Sequence, residues 1–312
     1  MNHKEDILAS YKRIKPFIHN TPILSSTGIN TIIGANLKFK CENFQKMGAF
    51  KMRGATNAIL KLTDAQRKKG VVTHSSGNFA QAVSLAAKSL GVKAYIVMPE
   101  SAPQVKKDAV FSYNGIITIC KSTLKAREET ANNIVNETGA TFIHPSNDIE
   151  VIHGNASACL ELIEDTPELD YIIAPIGGGG LIAGTALAAH YFSKKGMVIG
   201  AEPLEADDAY RSIISGKIET NETTNTIADG LKTQLGSINF PIIKNLVTKI
   251  IRVDEASILE AMTLIYQRLK IIVEPSSAVA LAAVLNNKAF FENKNIGILL
   301  SGGNVDLQQL PF

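Results

Sequence analysis

Three cysteines in 312 residues, Cys41, Cys120 and Cys159, are too few and too far apart for a disulfide framework or a zinc site. They are expected as buried apolar filler. No run approaches the ~18 apolar residues of a membrane span, and the charged start Met1-Asn2-His3-Lys4-Glu5-Asp6 has no apolar signal core. A cytoplasmic protein without membrane contact is expected. Neither sign of charge dominates: 32 basic residues stand against 29 acidic ones, unblocked, which leaves no electrostatic footprint for nucleic acid or anionic lipid. Small-molecule chemistry is the remaining class.

What is present is alternation. Short β-rich runs at residues 37–42, 71–76, 94–99, 115–120, 141–146, 171–176, 197–203 and 295–301 are separated by helix-length stretches such as 104–113 and 124–138. This pattern predicts an α/β protein with open, mainly parallel sheets and right-handed crossovers. The length predicts two domains: the runs from Val71 to Ser146 form one small sheet (residues 70–147), and residues 1–69 with 148–312 form the larger unit. Ligands of such sheets sit at strand C-terminal ends.

Three unusual segments follow such runs or open a helix. Gly177-Gly178-Gly179-Gly180-Leu181 follows an apolar strand and precedes a helix, making a nest of free N–H groups suited to phosphate. A tight turn needs one or two glycines, and four leave the backbone bare for close approach. Neither GK[ST] nor G-x-G-x-x-G is present, so ATP-loop and dinucleotide readings fail. Ser75-Ser76-Gly77-Asn78 carries more hydroxyl and amide groups than a helix cap needs, which points to a carboxylate or cofactor hydroxyl. His74 is read as structural. In Gly48-Ala49-Phe50-Lys51-Met52-Arg53, a lysine among apolar residues and near other cationic groups has the lowered amine pKa that Schiff-base chemistry requires, although a solvated helix-start lysine would look the same in isolation.

Together with Ser301-Gly302-Gly303-Asn304, these segments resemble the fold type II (β-family, tryptophan-synthase-β-like) pyridoxal-5′-phosphate (PLP) enzymes, most closely the serine racemase and serine/threonine dehydratase group. The resemblance runs from Thr21-Pro22 to Asp306. It implies that Lys51 carries PLP, Phe50 lies against the ring, Asn78 bonds the ring hydroxyl, and Gly177, Gly178, Gly179, Gly180 and Leu181 hold the phosphate. Ser301 would face the pyridine nitrogen, with Gly230 and Glu274 near the ring. A serine there does not compensate a full pyridinium charge, which favours prompt elimination over a long-lived carbanion. Ser75, Ser76 and Asn78 would hold the substrate carboxylate, Arg127 a side-chain carboxylate, and Ser76 would serve as second acid/base opposite Lys51. The implied activity is loss of water and ammonia from serine- or threonine-like substrates, with serine racemisation, amino-acid racemisation as the main activity, or threo-3-hydroxyaspartate dehydration as rivals; from another class stands a silent phosphate- or nucleotide-binding protein.

The resemblance also implies a Mg²⁺ or Ca²⁺ site with Glu202, Asp208 and the carbonyl of Ala206 as oxygen ligands. It further implies a homodimer and an ATP-effector site at Lys46, Gln81, Tyr113, Lys270 and Asn304, from whose pattern Met47 and Gly28 depart. Phe79 replaces a histidine usual after the SSGN segment, Ala49 replaces a serine, and Ile152-His153-Gly154-Asn155 replaces Ile-Ala-Gly-Gln. These departures bear on substrate preference and leave the cofactor reading unchanged.

Overall fold

A computed structural model describes residues 2–310. Its ten strands are β1 (Ile23–Leu24), β2 (Asn36–Cys41), β3 (Val71–His74), β4 (Ala94–Pro99), β5 (Ile116–Cys120), β6 (Thr141–Phe142), β7 (Tyr171–Pro175), β8 (Met197–Pro203), β9 (Val247–Val253) and β10 (Asn295–Leu300). They form a six-stranded sheet in the order β1-β2-β10-β7-β8-β9 and a four-stranded sheet in the order β5-β4-β3-β6. Apart from the antiparallel β1–β2 pair, every neighbour is parallel. The four strands of the smaller sheet all fall within residues 71–142.

Central strands read as continuous apolar runs because helices cover both faces of a parallel sheet. Thus β7 is buried at all five positions and β3 at all four. Each fully buried Ile or Leu side chain, such as Ile172, Ile173 or Leu299, contributes roughly 1.5–3 kcal/mol. The apolar runs at 71–76 and 141–146 overestimate the strands, which stop at His74 and Phe142. Beyond those points the chain turns into the polar segments described below. Strand β9 has no counterpart among the expected runs, since Thr248, Lys249 and Arg252 interrupt its apolar residues at a sheet edge.

The helix Lys51–Lys61 lies very close to the helix Ile149–Asp165. A Cβ on Gly54 would come within 2.7 Å of the Val151 carbonyl oxygen, and one on Gly154 within 2.6 Å of the Arg53 carbonyl oxygen. Beside this contact lies a buried ion quartet. Arg53, fully buried, donates from Nε to Glu42 Oε2 at 2.7 Å and from Nη2 to Glu161 Oε2 at 2.7 Å. Lys40 Nζ lies 2.6 Å from Glu161 Oε2, and the Thr21 hydroxyl donates to Glu42 Oε1 at 2.6 Å. Two cations and two anions therefore close with every partner supplied, and Glu42 is held below the usual carboxylate range by Arg53 despite its burial.

Candidate active site

Strands β3, β7 and β10 end at one cavity of about 580 Å³. Its lysine is placed from the β10 side: the Phe50 N–H donates to the Ser301 carbonyl at 3.0 Å, and Ala49 pairs with Gly302 in an isolated antiparallel bridge. Lys51 is thus the first residue of its helix. Its Nζ donates to the Pro145 carbonyl at 2.9 Å and sits 5.0 Å from the Phe50 ring centre and 5.5 Å from that of Phe79. Burial lowers its pKa to about 8, with Glu274 pulling the other way. This corrects the cause expected from sequence, where cationic neighbours were to share in the shift. The charged group that acts on Lys51 is a carboxylate, and nearby Arg53 is turned into the ion quartet.

The glycine loop caps the end of β7. Among the described residues, no protein acceptor takes the N–H groups of Gly177, Gly178, Gly179, Gly180 or Leu181, and all five residues line the cavity. The last two open the helix Gly180–Phe192, so the dipole adds to the local positive potential. The bareness of the loop also serves the protein side. A Cβ on Gly177 would meet Leu231 Cα at 2.8 Å, and Gly179 adopts φ +80°, which other residues rarely do.

Opposite the loop, the helix Asn78–Ser89 starts without a side-chain cap. The serines before it are therefore not spent on capping: Ser75 Oγ accepts only the Gly77 N–H at 3.3 Å, and the Ser76 hydroxyl has no protein partner among the described residues. Asn78 Nδ2 reaches both Glu274 oxygens at 3.0 Å, and Asn78 Oδ1 accepts from Asn304 Nδ2 at 2.8 Å. Burial pushes Glu274 up to about 7, opposed by the Asn78 hydrogen bonds. Ser301 Oγ lies 3.1 Å from Ser277 Oγ, and the Gly230 N–H donates to Ser276 Oγ at 3.0 Å. Phe50, Asn78, Gly230, Glu274 and Ser301 all line the cavity.

Along the small-sheet wall stand His74, His144 and Arg127. His144 Nδ1 accepts the backbone N–H groups of Ser146 and Asn147 at 3.1 and 2.8 Å, which leaves its proton on Nε2. Burial, with His74 and Lys51 nearby, lowers its pKa to about 4, so the ring is a neutral donor. Arg127 makes no ion pair among the described residues, and its Nε is buried without a partner.

Glu202, at the end of β8, accepts the Ala209 and Tyr210 N–H groups at 3.0 and 2.9 Å. Asp208 Oδ2 accepts the Leu235 N–H at 2.9 Å, whereas Oδ1 is buried with no partner. Burial raises both carboxyls, Asp208 to about 6, and for Glu202 the charge of Asp208 adds to the rise. Among the described residues no three His, Cys, Asp or Glu side chains gather as a metal centre, so a cation here would need a main-chain ligand such as Ala206. Of the residues expected around a nucleotide, Lys270 lines a separate pocket with Asn43, Gly48 and Gly303. Asn304 is engaged with Asn78 and the Met47 carbonyl.

Sequence reading missed Asn239, fully buried at the foot of the glycine loop, and Asn147, whose Oδ1 accepts the Ile238 N–H at 2.7 Å. Neither lies in a recognisable motif. No described helix is long and apolar enough to cross a membrane.

Residues 14–302 match the sequence pattern of the family described as pyridoxal-phosphate dependent enzyme. The β-hydroxyaspartate dehydratase of Paracoccus denitrificans is 49% identical over 99% of this chain and 98% of its own. The serine racemase of Arabidopsis thaliana is 51% identical over 98% and 95%. The solved structure of maize serine racemase superposes with a TM-score of 0.96 at 48% identity, covering 98% of this chain and 94% of that one.

Proposed function

The chain belongs to the pyridoxal-phosphate-dependent enzymes, and from that premise we propose that it eliminates water from small β-hydroxy amino acids, releasing a 2-oxo acid and ammonia. The observation that carries the reading is a half-buried lysine with its pKa lowered to about 8, in one cavity with five unpartnered N–H groups. The residues fit the cofactor. The free N–H groups of residues 177–181 suit its phosphate, Lys51 its aldehyde carbon, and Asn78, Gly230, Glu274 and Ser301 its ring. Bound there, the cofactor supplies an electron sink for negative charge at the substrate Cα.

The rest is done by the chain. With its pKa near 8, an appreciable part of the Lys51 amine is unprotonated near neutral pH, able to attack a carbonyl carbon and to take the Cα proton. The Pro145 carbonyl holds that amine in place between the Phe50 and Phe79 rings. Ser75, Ser76 and the N–H groups after them hold the substrate carboxylate. As Lys51 takes the Cα proton, the C–H electron pair becomes the Cα=Cβ bond and the Cβ–O bond breaks, the hydroxyl leaving as water with the proton returned by the Lys51 ammonium. The enamine released is hydrolysed in solvent. The Ser76 hydroxyl, free of protein partners, is the group for proton exchange on the second face, which supports accompanying racemisation. Glu202, Asp208 and the Ala206 carbonyl would hold Mg²⁺ or Ca²⁺; the partnerless Asp208 Oδ1 beside a second buried carboxyl supports a cation there.

Arg127 favours a narrower reading in which the substrate carries a carboxylate on Cβ, as 3-hydroxyaspartate does. A cavity-lining guanidinium without an acidic partner is costly unless a ligand supplies one, and a close relative is named for that substrate. Steady-state rates for L-serine, L-threonine and 3-hydroxyaspartate, measured on the native chain and on Arg127→Leu, test both levels. Losing a charge-assisted contact raises KM for hydroxyaspartate by about 10- to 100-fold and leaves the serine KM within about threefold. Equal losses on all three substrates would remove the narrower reading, and no turnover of any would remove the broader one.

A further inference from the structure

We propose that Asn239, assisted by Asn155, is a positioning residue for the cofactor phosphate: the two side-chain amides fix the peptide planes of the glycine loop so that successive N–H groups face the anion. A stretch of four glycines has little intrinsic preference for one orientation of its peptide units. Each unit is planar, however, so anchoring a carbonyl on one side aims the following N–H to the other.

Three consecutive carbonyls of the loop are anchored. Asn239 Nδ2 donates to the Gly178 carbonyl at 2.8 Å, the Ala183 N–H donates to the Gly179 carbonyl at 3.0 Å, and Asn155 Nδ2 donates to the Gly180 carbonyl at 3.3 Å. The N–H groups that follow, of Gly179, Gly180 and Leu181, are among those with no protein acceptor. The helix itself thus orients the middle unit, and side chains orient the two beside it. Asn239 carries the larger share, because the Gly178 carbonyl lies outside the helix and has no other partner among the described residues. Gly180 already belongs to the helix Gly180–Phe192.

The fully buried Asn239 amide is itself over-determined. Its Oδ1 accepts the Gly236 N–H at 3.0 Å, and its Nδ2 also donates to the Ser146 carbonyl at 3.1 Å. Ser146 adjoins Pro145, the acceptor of Lys51 Nζ, so one side chain ties the phosphate loop to the segment that holds the reactive amine. A residue that only filled space would not need both donors and the acceptor engaged.

This inference rests on the reading of residues 177–181 as the phosphate seat. The test compares binding of PLP and of pyridoxal, its analogue without phosphate, to the full chain stripped of cofactor, followed by visible absorbance, with the ³¹P resonance of bound PLP as a second readout. Asn239→Ala should raise the PLP Kd at least about tenfold, one hydrogen bond's worth, while the pyridoxal Kd stays within about twofold and the ³¹P line moves toward that of free PLP. Asn239→Asp keeps the volume and the Gly236 contact, serves if the alanine variant folds poorly, and should lose more because its charge opposes the phosphate. Asn155→Ala should shift PLP affinity in the same direction by less. Parallel loss of PLP and pyridoxal, or no loss, in folded Asn239 variants would overturn the assignment. If the native chain bound both compounds equally, the phosphate seat itself would fall; discrimination that survives unchanged in the variants overturns the asparagine roles alone.

Discussion

Lys51 and Arg53 stand two residues apart on one helix, and their surroundings are opposite. Arg53 is ringed by Glu42 and Glu161, and those carboxylates raise its pKa above the ordinary range. Lys51 has a carbonyl and two aromatic rings, and burial brings it down to about 8. The scaffold satisfies its charges, whereas the site leaves them wanting. Glu202 and Asp208 are like the site in this respect, two buried carboxyls that make no ion pair among the described residues. An unmet charge marks where something from outside is expected, and its absence marks where the chain is complete.

The comparison breaks most sharply at Lys51. Lys51→Ala should abolish turnover, with at least a ~10³-fold loss, because proton transfer and cofactor attachment share this one amine. Fold and melting temperature should change little, and pyruvate release from serine followed by coupled assay checks it. Arg53→Met should do the reverse. Leaving Glu42 and Glu161 against Lys40 alone costs about 3–5 kcal/mol, seen as a lower urea midpoint. Arg53→Met combined with Glu42→Leu restores a neutral Lys40–Glu161 pair and should recover part of that loss. If the single variant is as stable as the native chain, the quartet does not contribute to stability.

A smaller effect is expected at the acidic pair. Saturating Mg²⁺ or Ca²⁺ should stabilise the protein by roughly 2–3 kcal/mol at a hundredfold excess over Kd, read as a rise in melting temperature of a few degrees. EDTA should reverse the rise and Asp208→Asn should abolish it. A melting curve indifferent to all three would leave the pair as an acidic turn and nothing more. The smallest effect is kinetic. Only the unprotonated amine captures the cofactor, so the rate of yellow colour formation should climb as pH rises through about 8 and then level off. A rate still climbing past pH 10 would place Lys51 at its ordinary 10.5.

Much of the site was legible because local rules generate it. A strand followed by Gly177 to Gly180, or by Ser75 to Asn78, is a contiguous signature, and strand ends in a parallel sheet bring such signatures together. What escaped was non-local. Arg53 finds Glu161 across 108 positions, and nothing near Glu161 announces that partner. Asn239 is similarly silent, since its role depends on Gly178, 61 residues earlier. The expected strands ran too long at 75–76 and 143–146, where the chain continues past the last ladder pair into polar site segments, and β9 hid behind the polar residues of an edge.

The smaller sheet has one more property. Val71 and Val72 on β3 pair with Thr141 and Phe142 on β6, and the Thr141 N–H donates to the Gly70 carbonyl at 3.0 Å. The first and last strands of the four-stranded unit are therefore neighbours. In the vocabulary of protein engineering the unit is a cassette: its first and last strands are paired with each other, which makes it a natural segment to exchange for its equivalent in a relative. Ser76, Asn78, Arg127 and His144 travel inside that cassette while Lys51, the glycine loop, Glu274 and Ser301 stay behind, so such an exchange would replace one wall of the cavity and keep the other.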